Sequence, residues 1–143
     1  MVDTTKGIFH FNGDSLPFSF IKVWRSSQGQ QTKIPIILFL HGAGERGNDN
    51  SSQLTVGLPA LTKTIIETIK EPCYIIVPQC PNTEKWVDTD WTRKSHTMES
   101  VINWPLNGAL QLLDSIAKTD KFVDTSRIYI TGLSMGGLGV WDI

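Results

Sequence analysis

The run Arg127-Ile-Tyr-Ile-Thr-Gly132-Leu-Ser134-Met-Gly136-Gly137 constrains this chain more than any other segment. A β-branched, aromatic stretch leads into the pattern G-x-S-x-G, and small residues follow. That order predicts an incoming strand, a sharp turn at the serine and a departing helix. Gly132 and Gly136 keep side chains out of the place where strand and helix nearly touch. The turn holds Ser134 in a strained backbone conformation that lifts its hydroxyl above the sheet. Such a serine is a candidate nucleophile, and the chemistry implied is acyl transfer through a covalent ester on its oxygen. The plainer alternative is a glycine-rich turn whose serine only hydrogen-bonds its own backbone.

The rest of the chain supplies a setting for that turn. Ile8–Phe11 and Phe18–Trp24 flank Asn12-Gly-Asp-Ser, which predicts an antiparallel hairpin with a turn wider than two residues. A polar stretch from Ser26 to Lys33 reads as a loop. Ile36–Leu40 and Tyr74–Val77 are apolar at every position, as strands buried on both faces are. Leu58, Leu61, Ile65 and Ile69 recur at helical spacing, with Pro59 in the first turn and Pro72 past the end. A second stripe runs from Leu106 to Ala117, where Pro105 either opens the helix or kinks a turn begun near Thr97. Arg127–Thr131 is the last strand. Strand, helix, strand, helix, strand predicts an α/β fold with helices on both faces of a mostly parallel sheet, a three-layer α/β/α arrangement carrying an N-terminal antiparallel hairpin.

Composition narrows the function classes. The 143 residues carry a net charge of −1 and are 40% hydrophobic, which suits one globular domain. A chain of this size buries roughly two thirds of its unfolded surface. Near-zero charge without a basic block argues against nucleic acid or an anionic membrane as partner. No apolar stretch approaches the roughly 20 residues of a membrane span. Met1-Val-Asp-Thr-Thr-Lys has no signal-peptide core, so the expected location is the cytoplasm. Cys73 and Cys80 lack metal-type spacing and are expected to pack rather than form a disulfide. No metal or cofactor is implied.

His41-Gly42-Ala-Gly44-Glu-Arg-Gly47 directly follows the strand Ile36–Leu40. Attack by Ser134 on a carbonyl creates an oxyanion, which needs backbone N–H donors fixed beforehand. A glycine-rich loop at a strand's C-terminal end can aim its amides inward, because glycines tolerate unusual backbone angles. An anion-binding loop, or a merely tight one, is the alternative.

Together, the hairpin, Phe39-Leu-His-Gly-Ala-Gly-Glu-Arg-Gly-Asn-Asp49, Pro78-Gln-Cys-Pro81 and the serine turn resemble the α/β-hydrolase superfamily. The similar branch contains carboxylesterases and peptidases akin to prolyl oligopeptidase, phospholipase/carboxylesterase and feruloyl esterase domains. The resemblance implies Ser134 as nucleophile, with the N–H groups of Met135 and of Ala43 or Gly44 forming the oxyanion hole. It implies that these strands are the first five of eight. The triad Asp or Glu and the triad His would then lie beyond Ile143, and residues 1–143 would be one domain truncated after the elbow. The activity implied is cleavage of small-molecule carboxylic esters, with a serine peptidase of the prolyl oligopeptidase type as an alternative. A third reading is an incomplete, non-enzymatic binding or assembly module that self-associates through an exposed sheet edge.

His41 is expected to brace the loop rather than take the serine proton. His10 and His96 are expected to be solvated or packed, and Asp142 to point away from the serine. Trp86, Trp91 and Trp104 cluster in one polar stretch, where Trp86 and Trp91 are candidates for a substrate wall; the alternative is that they pin a loop to the core. Glu45 and Arg46 either clamp the oxyanion loop or form a solvated pair.

Overall fold

Residues 1–24, 33–95, 97 and 100–143 are described by the structure, a computed structural model. Strands β1 (Val2–Phe11) and β2 (Asp14–Val23) form one antiparallel ladder in which Phe11 faces Asp14. The turn between them therefore holds only Asn12 and Gly13, both at positive φ (49° and 87°), the type I′ geometry that follows strand twist. The wider turn expected from the sequence is corrected here.

β3 (Ile34–Leu40) and β4 (Cys73–Pro78) are the two continuous apolar runs, and both are almost wholly buried. Between them lie 3-10 turns at Ala43–Glu45 and Ser52–Leu54, then helix α1 (Leu58–Thr64). The expected Leu58–Ile69 helix is regular only in its first half. From Ile65 to Ile69 it widens into a π-helical turn, closed where Lys70, at φ 62°, donates its N–H to Ile65 O. The widening takes Ile69 off the buried stripe and leaves it exposed. Helix α2 (Trp104–Thr119) begins with Pro105 in its first turn, so that proline opens the helix. β5 (Val123–Gly132) runs into the serine turn, and α3 (Met135–Trp141) leaves it. His96 and all of the expected 26–33 loop except Lys33 lie outside the described residues.

The strand order is β1-β2-β4-β3-β5. β4, β3 and β5 are parallel, while β2 pairs antiparallel with β4. The sheet is thus mixed: a parallel unit extended by the hairpin. One core lies under α2 and α3 and includes Leu38, Leu40, Ile76, Trp86, Leu106, Leu112 and Met135. The other lies under α1 and includes Phe39, Leu58, Ile65, Ile75 and Val77. Each fully buried aliphatic side chain contributes about 1.5–3 kcal/mol.

This layering positions the candidate site. The chain leaves β3 toward the α1 face and leaves the adjacent β5 toward the α3 face. The carboxyl ends of two neighbouring parallel strands therefore part in opposite directions, which is where open α/β sheets form ligand crevices. Among the described residues no helix is long and apolar enough to cross a membrane.

Candidate active site

Leu40 and Gly132 are register partners at the ends of β3 and β5, so the loop starting at His41 and the turn at Ser134 are neighbours from the outset. Ser134 sits at φ 52°, ψ −114°, a conformation that side-chain-bearing residues rarely adopt and that costs about 1–3 kcal/mol. Its side chain is exposed, and its Oγ has no hydrogen-bond partner among the described residues. The turn is closed by Gly136 N–H to Leu133 O at 2.8 Å, and Leu133 N–H bonds Leu40 O at 3.0 Å.

The two elbow glycines are required by contact. A methyl group on Gly132 would collide with the Gly136 carbonyl and reach within 2.9 Å of Gly137 N. One on Gly136 would collide with the Leu40 carbonyl and come within 2.8 Å of His41 O. Helix α3 thus rests on the bare backbone of β3. Met135 opens α3, so its N–H has no carbonyl within the helix to bond.

In the loop after β3, the glycines act differently from the sequence-based expectation. Gly42 is extended (φ −78°, ψ 179°) and needs no unusual angle. Its value is proximity, because a methyl there would lie 3.7 Å from Ser134 Cβ. Gly44 has open space around it, and the loop's left-handed position is Gly47, at φ 153°.

His41 is completely buried, and both ring nitrogens are occupied. Cys80 N–H donates to Nε2 at 2.9 Å. Nε2 must therefore carry the lone pair, which places the proton on Nδ1, 2.6 Å from Gly42 O. Burial lowers the ring's pKa below 6.5, outweighing the opposing bond to Gly42 O. A neutral imidazole with its lone pair already committed cannot accept the serine proton. His41 braces the loop, as the resemblance implied.

Arg46 clamps the same loop. Its Nε donates to Ala43 O at 2.9 Å and its Nη1 to Glu84 O at 3.0 Å. A polar network that the sequence reading did not contain completes the anchoring. Gln79, fully buried, donates to Glu45 O and to Asp49 Oδ1, and accepts from Asn50 N–H at 2.7 Å. Asn50 in turn bonds Gly7 O and Phe18 O of the hairpin and the amide of buried Gln53. The hydrogen bonds of Asp49 to Ser52, Gln79 and Ser51 hold its carboxyl far below the usual carboxylate range. In the sequence this network is marked only by resemblance, with Gln79 in Pro78-Gln-Cys-Pro81 and with Glu45 and Asp49 in the loop that starts at His41.

The tryptophans part company. Trp86 is fully buried, donates its indole N–H to His41 O at 3.0 Å and meets the His41 ring edge-on. It stands behind the loop, so its assignment to a substrate wall is corrected. Trp91 is half-exposed, with Arg46 Cζ 5.8 Å and Lys85 Nζ 5.1 Å from its ring centre. It opens on a polar cleft of about 550 Å³ also lined by Lys85, Asp88, Asp90 and Arg93, which includes neither Ser134 nor any residue of the 41–47 loop. Trp104 packs against Phe11. His10 is on β1, four strands from β5. Asp142 is buried and lines a small cavity with Trp86 and Leu106. Cys73 and Cys80 are free and buried, and burial pushes both thiols up to about 12. Among the described residues no three His, Cys, Asp or Glu side chains could hold a metal ion.

No protein-family model and no curated protein matches the chain. Solved structures do. A thermostable esterase superposes over 98% of this chain with a TM-score of 0.75 at 29% identity. The S-formylglutathione hydrolase of Staphylococcus aureus matches 97% of the chain (TM-score 0.62, 13% identity), and an acylaminoacyl peptidase of Pyrococcus horikoshii 98% (TM-score 0.57, 17% identity). The chain spans 36%, 50% and 20% of those three proteins. It carries the front part of the α/β-hydrolase fold and resembles a serine hydrolase.

Proposed function

We propose that this chain is the nucleophile-bearing part of a serine hydrolase acting on carboxylic esters. Ser134 Oγ attacks the ester carbonyl, and its proton passes by way of a histidine to the departing alcohol. The carbonyl oxygen, briefly anionic, is held by the N–H groups of Met135 and of Ala43 or Gly44. Water then cleaves the acyl-serine and restores the hydroxyl. On this reading the histidine and its carboxylate partner come from beyond Ile143, as the resemblance implies; the chain spans 36% of the esterase and 50% of the S-formylglutathione hydrolase.

The observation that carries this reading is Ser134 itself, held at a strained φ with an unbonded hydroxyl beside Gly42. Ester cleavage is favoured over peptide cleavage because the esterase shares 29% identity, whereas the peptidase, at 17%, speaks to fold alone. The test is fluorophosphonate labelling with the adduct mapped by mass spectrometry, together with ester turnover by the longer protein. Ser134→Ala is expected to abolish the adduct and cut kcat by roughly 10³-fold or more. Unchanged turnover in that variant would sink the proposal.

A second reading, a non-enzymatic assembly module, has one observation in its favour. β5 is an edge strand exposing Ile128 and Tyr129, and nearby Trp141 is 82% exposed. This reading expects a mass that rises with concentration in sedimentation and no serine adduct.

A further inference from the structure

Two consecutive carbonyls of the loop after β3 are held by side chains. Gly42 O accepts from His41 Nδ1, and also from Glu45 N–H at 3.4 Å. Ala43 O accepts from Arg46 Nε. In a trans peptide the N–H of the next residue points opposite the carbonyl, and no cis peptide occurs among the described residues. Holding Gly42 O toward the buried His41 ring therefore turns Ala43 N–H away from the core. Holding Ala43 O toward Arg46 sets the direction of Gly44 N–H in the same way.

The two peptides differ in what else confines them. Between residues 42 and 43 the carbonyl is bonded twice, and the Cβ position of Gly42 is bordered by the Glu45 carboxylate at 2.9 Å, Leu133 O at 3.6 Å and Ser134 Cβ at 3.7 Å. Between residues 43 and 44 the flanking Gly44 meets nothing within 4 Å of its Cβ position. A peptide beside an unconfined glycine rotates at little steric cost. Rotation here would replace a donor with a carbonyl oxygen, whose partial charge repels an oxyanion.

We propose that Arg46 is a positioning residue that locks the Ala43–Gly44 peptide. Its guanidinium spans the Ala43 and Glu84 carbonyls with two donors of fixed relative geometry and lies against Trp91. The donor side of the loop is thereby set before substrate arrives and is tied to the segment bearing Trp91. The inference rests on reading Ser134 as the nucleophile, but its first test does not.

That first test is ¹⁵N relaxation of the 143-residue chain. In Arg46→Ala, the Gly44 amide is expected to gain mobility while the Ala43 amide, held through His41, stays rigid. Unchanged Gly44 relaxation would overturn the proposal whatever Ser134 does. The second test is turnover by the longer protein. Arg46→Ala should lower kcat about 10- to 100-fold with KM nearly unchanged. Arg46→Lys should recover part of that loss, because an ammonium has no fixed fork to span both carbonyls. Millimolar methylguanidinium should also restore part of the activity. Equal losses in kcat and thermal midpoint without rescue would make Arg46 a simple strut and reject the proposal. If Arg46→Ala does not fold, Arg46→Lys carries both tests: an unaltered Gly44 amide and an unaltered kcat would together reject it. Absence of turnover and of a Ser134 adduct in the unmodified protein would instead count against the hydrolase reading.

Discussion

Two backbone segments meet at Ser134, and they are held by opposite means. The elbow is held by absent side chains: Gly132 and Gly136 let strand, helix and β3 touch backbone to backbone. The loop after β3 is held by side chains that are present, with His41, Arg46 and Gln79 each reaching main-chain groups. Contacts of the first kind have no graded response, because any added atom collides. Contacts of the second kind can be loosened one bond at a time, and some of them titrate.

The largest test of this contrast is Gly136→Ala, expected to cost about 3 kcal/mol or more, or to prevent folding. Gly44→Ala, in open space, should stay within about 1 kcal/mol. Similar urea midpoints for the two variants would erase the distinction. Next comes His41→Ala, expected to cost about 2–3 kcal/mol, because it leaves a cavity and strands the buried Cys80 N–H. Smaller and opposite in sign is Ser134→Gly. It removes the strain at φ 52° and should raise stability by about 1 kcal/mol, read from the same unfolding curves.

Acid should act on the loop before the elbow. The folded His41 ring binds its proton less readily than an unfolded histidine, so stability is retained above pH 6.5 and declines as pH falls below it. Asp49, depressed from 3.8, adds a further loss below about pH 4 as its carboxylate is protonated. Amide exchange at pH 7, 5 and 3.5 should show residues 42–50 opening ahead of residues 132–138. The smallest effect is chemical: iodoacetamide at pH 8 should label Cys73 and Cys80 in the unfolded chain much faster than in the native one. With thiols near 12, the native protein holds almost no thiolate.

What was legible in the sequence follows the same division. The apolar runs of β3 and β4 and the stripe of α2 act locally, so period reveals them, while the elbow glycines show through their spacing around Ser134 even though Gly136 meets Leu40, far away in sequence. The hairpin extends back to Val2 because β2 is itself paired to β4, which supports residues that carry no strand pattern of their own. Gln79, Asn50 and Gln53 were illegible as a network, because polar loop residues have no periodicity and their partners in the hairpin lie far away in sequence. Of the two readings open to Trp86, the structure takes the one in which it pins the loop to the core, and its polar neighbours in sequence carry no sign of its partner in space, the buried His41.

The meeting of Gly136 with the Leu40 carbonyl has a consequence for how this protein tolerates change. In most helix–sheet contacts the spacing is an average over many side chains, and it drifts as they are exchanged. Here the stop is main chain against main chain, so the gap between serine and loop is set by atoms that every amino acid shares. Side-chain volume can wander elsewhere in both cores without moving that gap. It works as a fixed gauge block in a machine whose other parts are adjustable.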